Sequence, residues 1–337
     1  MDLGASARQV AMAARSQTGF SRRLFNALGP FIGLVLVIGL FCLSSTVRPY
    51  FLTGANFKII FTQTVIVAIG ALGMTIIIVS GGIDLSVGSV VALTSVVGAT
   101  ALVKGHSALT AALMTIAVGG GVGLLNGLAI GGLRMMPFIV TLGMMGVGRG
   151  TAKWLSDSQT VNPPESAINN IMELKEPGQL LPLPLGVWIA LALALAMSMV
   201  MRQTVFGRYI FAIGANEAAA RLSGIRVRLQ KVIIYTLAGV CVGISGLMQL
   251  SRLTQGDPTV ANGLELDIIA AVVIGGASLS GGTGTILGSM IGALIMAVLR
   301  NGSNQMGWPT YMQEIIIGVV IIIAVGLDKL RQGSAKV

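Results

Sequence analysis

Asp84 stands in Ser80-Gly81-Gly82-Ile83-Asp84-Leu85-Ser86, at the junction of two apolar runs. An ionised group in such a setting is costly without partners. Two roles suit it. The carboxylate can accept from the amides of the next helical turn, with the glycines providing the bend before it, or it can contact a passing substrate; the cap is the preferred reading. Asp267, just after Glu265, opens a later apolar run and is expected to cap it likewise, while Asp257-Pro258 has the chemistry of a turn.

The remaining chemical candidates fall away on inspection of their partners. Gly243-Ile244-Ser245-Gly246 has the spacing of an intramembrane serine hydrolase, whose serine needs a histidine base from a later span. The single histidine, His106, comes earlier, in a short polar link after Lys104. Ser245 is therefore expected to pack a helix interface with Gly243 and Gly246. Leu279-Ser280-Gly281-Gly282-Thr283 looks like a nucleotide-contacting signature but interrupts apolar sequence, and no Gly-Lys dipeptide occurs, so the phosphate-cradling P-loop is absent. Cys42 and Cys241 lie inside apolar runs with no metal or disulfide spacing. The chain is thus expected to be no enzyme and to hold no metal or cofactor, so energy for any work must come from elsewhere.

The elements that would position these residues are membrane helices. Of 337 residues 54% are hydrophobic and 10% charged, far below the roughly 25% charged residues of soluble domains. Apolar runs lie at 28–46, 59–79, 85–103, 109–131, 138–155, 185–201, 232–250, 268–280, 286–299 and 311–327, most of them near the length that crosses about 30 Å of hydrocarbon. The two runs at 268–280 and 286–299 are short and broken by glycine. Forty-six glycines suit close approach of helix backbones in lipid. The expected class is all-α, a polytopic transmembrane bundle of about ten spans. The net charge of +10 is spread between apolar runs rather than over one basic face, so nucleic acid is not an expected partner.

Charge asymmetry orients the bundle. The link 202–231 carries Arg202, Arg208, Arg221, Arg226, Arg228 and Lys231 against Glu217 alone, and is expected in the cytoplasm. The link 156–182 carries Asp157, Glu165, Glu173 and Glu176 against Lys175, with four prolines that forbid a continuous helix, and is expected outside. A basic N-terminus inside and ten crossings return Lys329, Arg331 and Lys336 to the cytoplasm. Residues 1–27 read as a cytoplasmic tail, 28–327 as one transmembrane domain whose first run is a signal anchor, and 328–337 as a second cytoplasmic tail.

Two further patterns stand out. Val79 to Gly88 matches Val273 to Gly282 at six of ten positions, and paired Gly-broken helices often mark a transport path, because unwound backbone survives in lipid only against protein or water. Asp84, Ser86, Gly275, Gly276 and Ser278 are the path or gate candidates on this ground. Within the basic link, Gly214-Ala215-Asn216-Glu217-Ala218-Ala219-Ala220-Arg221-Leu222-Ser223-Gly224 has a polar start, a short Ala-rich helix and a glycine stop. It is either a solvated surface helix or one that docks in a partner's groove.

Several segments together resemble the permease subunits of ribose, xylose, arabinose and galactose-type bacterial ABC importers, ribose permeases most of all. They are Gly73-Met74-Thr75, Ser80 to Ser89, Pro137 to Gly143, Thr204 to Tyr209, Asn216 to Ile225, Gly263 to Asp267 and Ala270 to Gly284. The likeness covers nearly the whole stretch from Phe31 to Leu327. It implies that Gly214, Asn216, Glu217, Ala218, Ala219, Arg221 and Gly224 form the coupling segment that docks on an ATPase, although the spacing to the glycine is one residue longer than usual. It implies as partners an ABC ATPase that uses ATP and Mg²⁺, a periplasmic sugar-binding protein, and a second permease, identical or sister, all at the inner membrane. The sequence also admits an ion-coupled secondary transporter, which the near absence of mid-span acids disfavours, or an ABC permease for a non-sugar solute. Aromatics are only 5%, consistent with a low-affinity path whose selectivity lies in the binding protein.

Overall fold

A computed structural model describes residues 29–174 and 182–333; the predicted tail at 1–27, part of the acidic link and the last four residues lie outside the described residues. Each of the ten apolar runs contains a helix. In chain order these are α1 (Gly29–Cys42), α2 (Arg48–Phe51), α3 (Gly54–Val79), α4 (Val87–Val103), α5 (Ala108–Gly127, prolonged by a π-turn Leu128–Gly132), α6 (Pro137–Leu155), α7 (Leu185–Gln203), α8 (Val205–Ala215), α9 (Glu217–Leu222), α10 (Val227–Leu253), α11 (Leu264–Ile274), α12 (Ile286–Gln305) and α13 (Thr310–Gly333). Among the described residues the only β-type pairing is an isolated bridge between Val161 and Gly256. Five helices, α3, α5 with its π-turn, α7, α10 and α12, are long and apolar enough to cross a membrane.

The two central helices are α3 and α10. The stretch of α3 from Thr64 to Val79 is buried throughout, because α10, α12, α11, α7 and α8 all pack on the helix. Helix α5 lies along α10 with backbones in contact: a β-carbon on Gly123 would crowd the Cα of Gly239 at 2.8 Å, and one on Gly243 would meet the carbonyl oxygen of Ile116 at 2.9 Å. Glycine at these positions serves the approach, as the composition suggests. Ser245 belongs to this interior as expected, but its hydroxyl crosses to α3 and donates to the Ile66 carbonyl. Replacing Gly239 by leucine should part α5 from α10 and show as loss of the folded, monodisperse peak in detergent chromatography.

Helix α11 is too short to cross as a helix alone. At about 1.5 Å per residue, α11 with 11 residues spans roughly 16 Å. Its first turn touches the first turn of α4, where the Glu265 carboxylate and the Ala261 carbonyl close over Gly88. Helix α4 in turn starts beside Gly239 and Val242, near the middle of α10. Both helices therefore begin inside the bundle, fed by non-helical segments 80–86 and 254–263.

Helices α3 and α11 end alike. Gly81 and Gly276 are left-handed, φ +83° and +91°; their amides bond Ile78 and Val273, and the next amides, of Gly82 and Ala277, reach back to Ile77 and Val272. This is the paired pattern of a glycine-terminated helix. The structural correspondence is Gly81 with Gly276, one residue out of step with the sequence match, which pairs Gly81 with Gly275.

The basic link holds more structure than expected. Besides α9 it forms α8, capped by Thr204, whose hydroxyl accepts from the Gly207 amide at 3.1 Å. Ile210 and Ile213 are buried, and α8 packs on α7, α3 and α10.

Candidate functional site

Functional side chains gather at the two ends of the bundle. At one end, Asn216 accepts from the Ala219 amide at 3.0 Å and so caps α9, and the left-handed Gly224, φ +85°, follows its end, as the sequence indicates. Glu217, in the first turn, accepts from Lys231 of α10 at 2.7 Å and from Arg221 at 3.0 Å. Its carboxyl is held below the ordinary range, chiefly by the Lys231 hydrogen bond. A depressed carboxylate contributes above its ordinary pKa of about 4.3, and that contribution is lost only as pH falls through the lower folded value. Function therefore has no titration of this brace between about pH 5 and 8. Ala218, Ala219, Arg221 and Leu222 are turned to the exterior, Leu222 at 90% exposure.

Just before α9, Gly214 is wedged between the two broken segments. A β-carbon there would overlap the Val79 carbonyl oxygen and lie 2.6 Å from the Gly282 amide nitrogen. The Gly282 amide itself donates to that Val79 carbonyl at 2.8 Å, and Gly281 lies against both Gly214 and Gly81. The α3 end, the 275–285 segment and the stem of α9 thus meet backbone to backbone.

Asp84, 5% exposed, does not cap α4 as expected. Its Oδ1 accepts from the Ser86 amide at 2.8 Å and the Ser86 hydroxyl at 2.6 Å, an aspartate turn two residues long, and Ser86 rather than Asp84 is the N-cap residue. The Ser86 hydroxyl also accepts from Asn126 of α5 at 3.2 Å. Tyr235 donates to the Ile83 carbonyl at 3.3 Å. The space beside Asp84 and Ser86 is about 10 Å³, room for about one water. Gly275 packs on Gly288 of α12, with no space for a side chain, Gly276 is the glycine that ends α11, and Ser278, 5% exposed, accepts from the Gly281 amide. The five path candidates therefore divide between this buried cluster and the 275–285 segment, and among the described residues none lines either of two larger cavities.

Those two cavities are at the opposite end. One, of about 510 Å³, is walled by Gln63, Glu165, Asn169, Asn170, Glu173 and Arg252; the other, of about 360 Å³, by Gln63, Gln249, Arg252, Asp267, Arg300 and Gln313. They share Gln63 and Arg252. Asp267 does not cap α11, whose N-cap is Gly263. It lies one turn in, 2% exposed, and pairs with Arg300 of α12. The rim is stitched down: Ser251 donates to the Ile168 carbonyl at 2.6 Å and accepts from the Met172 amide at 3.0 Å, and Arg149 of α6 clasps the carbonyls of Pro258 and Val260 at 2.9 and 2.6 Å. Sequence reasoning missed these walls because it ended two runs at Leu250 and Leu299, just before Arg252 and Arg300. The helices continue to Leu253 and Gln305, so both arginines stand on helical walls; a cation directly abutting an apolar run was the available signal.

A family profile described as the branched-chain amino acid transport system / permease component matches residues 56–325. The chain belongs to that family. Among individual permeases of the family, the chain is 40% identical to the ribose import permease protein RbsC of Escherichia coli (strain K12), over 94% of this chain and 99% of that one. It is 39% identical to RbsC of Bacillus subtilis (strain 168), over 91% and 94%, and 34% identical to the L-arabinose ABC transporter permease protein AraH of Azospirillum brasilense, over 90% and 89%. No solved structure matches this permease.

Proposed function

We propose that this permease is the membrane subunit of an ATP-driven importer of a monosaccharide, a ribose-like pentose or a hexose, in the bacterial inner membrane. The observation that carries the reading is the end-to-end likeness to ribose permeases, 94% of this chain against 99% of the relative. The structure supports it with a small capped helix at one end of the bundle and polar cavities at the other. In this reading the α9 end faces the cytoplasm, both termini lie there too, and about ten spans form one domain over 28–327 with tails at 1–27 and 328–337. A second permease, identical or sister, completes the path. A periplasmic binding protein delivers sugar to the cavity end, and a partner ATPase, holding ATP and Mg²⁺, docks on Gly214 to Gly224.

Driving such a cycle needs no chemistry from the permease. ATP binding draws the docked α9 helices together, and the bundle shifts between outward-open and inward-open states according to how differently each partner binds the two. Asp84, Ser86, Gly275, Gly276 and Ser278 act in this reading at the bends that must move. Reconstitution in liposomes with the ATPase and binding protein, ATP inside, tests the reading with a labelled pentose and hexose panel. Uptake should need all three proteins and should collapse in Glu217→Lys, which sets a cation against Lys231 and Arg221. Uptake by the permease alone on an ion gradient would make it a secondary transporter.

A further inference from the structure

The cavity walls carry polar groups that the fold itself does not use. Gln63, Gln249 and Arg252 line the cavities, and among the described residues none of their side chains donates or accepts a hydrogen bond. Gln249 is only 8% exposed. Gln63 is half-buried and Arg252 exposed, so their polar groups and the Gln249 amide are open to the cavities, free to pair with whatever enters rather than committed to the fold. A ligand rich in both donors and acceptors pairs with all three.

Charge selects among ligands. At the floor, Arg300 is neutralised by Asp267, and Arg252 adds one positive charge. At the mouth, Glu165 and Glu173 add two negative charges. An anion is repelled on entry, and a cation meets Arg252 beyond. A neutral polyhydroxylated molecule meets neither barrier: its vicinal hydroxyls accept from the Arg252 fork and both donate to and accept from the two amides. The cavities, about 510 and 360 Å³, lie within the roughly 300–1,000 Å³ of small-molecule sites. No aromatic ring lines either cavity among the described residues, so recognition there is by planar polar groups alone.

We infer that the permease itself has a binding site for a neutral aldose, built on Arg252, Gln249 and Gln63 above the Asp267–Arg300 pair. This deepens the importer reading and rests on it: the site receives sugar released by the binding protein, and part of the selectivity resides in the membrane subunit.

The test uses the full-length permease in nanodiscs and the reconstituted complex. Saturation-transfer NMR with millimolar D-ribose, L-arabinose and D-allose should show contact with wild type and with the control His106→Gln, and the signal should be lost in Arg252→Met and Gln249→Leu. Gluconate and galacturonate should not displace the sugar. In the complex, ATP hydrolysis stimulated by loaded binding protein should persist in Arg252→Met while sugar delivered per ATP falls by about tenfold, the loss expected for one charged hydrogen-bond partner. Equal NMR signals in wild type and both variants, no signal in wild type, displacement by the anions, or a parallel fall of stimulated hydrolysis and uptake each overturns the site. Absence of ATP-dependent uptake of every sugar, with NMR binding intact, would overturn the importer reading instead.

Discussion

Gly214→Ala should reduce ATP-driven uptake to background while the chain still inserts in the membrane. The single added methyl has nowhere to go, since its neighbours are the Val79 carbonyl and the Gly282 amide nitrogen, 2.6 Å away. Both are backbone, and they are joined by their own hydrogen bond. Overpacking of a tight site costs about 1–3 kcal/mol, and here relief requires the two broken segments or the α9 stem to shift, which is the geometry that coupling needs. Gly224→Ala is the internal comparison. That residue has φ +85° but open space around its Cα, so the cost is about 1–2 kcal/mol of local backbone strain at the far side of α9. Uptake and membrane insertion measured side by side separate the two. Equal uptake in both variants would show that the junction carries no coupling.

The second large effect is at the opposite end. Asp267→Ala leaves Arg300, whose side chain is 39% exposed, without its partner; solvent screening holds the loss below the about 3–5 kcal/mol of a fully buried pair. The expected result is a drop in thermal stability of the purified permease and in its yield. Asp267→Asn combined with Arg300→Gln removes both charges and should recover most of the stability, because a neutral pair needs far less solvation than a lone cation. A single variant as stable as wild type would mean that the ion pair is solvated rather than buried.

Legibility of the sequence follows the physics of each feature. The apolar runs announce all ten of their helices, since length and hydropathy are local properties. The α9 cap and glycine stop are local too, and Asn216 and Gly224 behave as read. Failures occur where a tertiary contact decides. Asp84 and Asp267 both stand near helix starts, yet one closes a turn on Ser86 and the other finds Arg300, 33 residues on. The match between 79–88 and 273–282 locates two helix ends, but glycine identity alone cannot fix register, and the hydrogen bonds set it one residue away. Helix α8 is itself apolar but short and broken by Arg208, so it hides inside a link read by its arginines, and only its packing on α7 and α3 shows that it belongs to the bundle. The cavity walls were invisible for a related reason: Gln63, Gln249, Arg252 and Arg300 come from three helices, and only packing brings them together.

The meeting of Val79, Gly214 and Gly281-Gly282 also bears on timing. Side chains at a joint can take up a small displacement by hopping between rotamers; main-chain atoms in direct contact have no such slack. A push delivered through the α9 stem reaches the bend before α4 and the bend after α11 at one place and in one step. The two bends are therefore obliged to move in synchrony, and a state with one open and the other shut requires the joint itself to come apart.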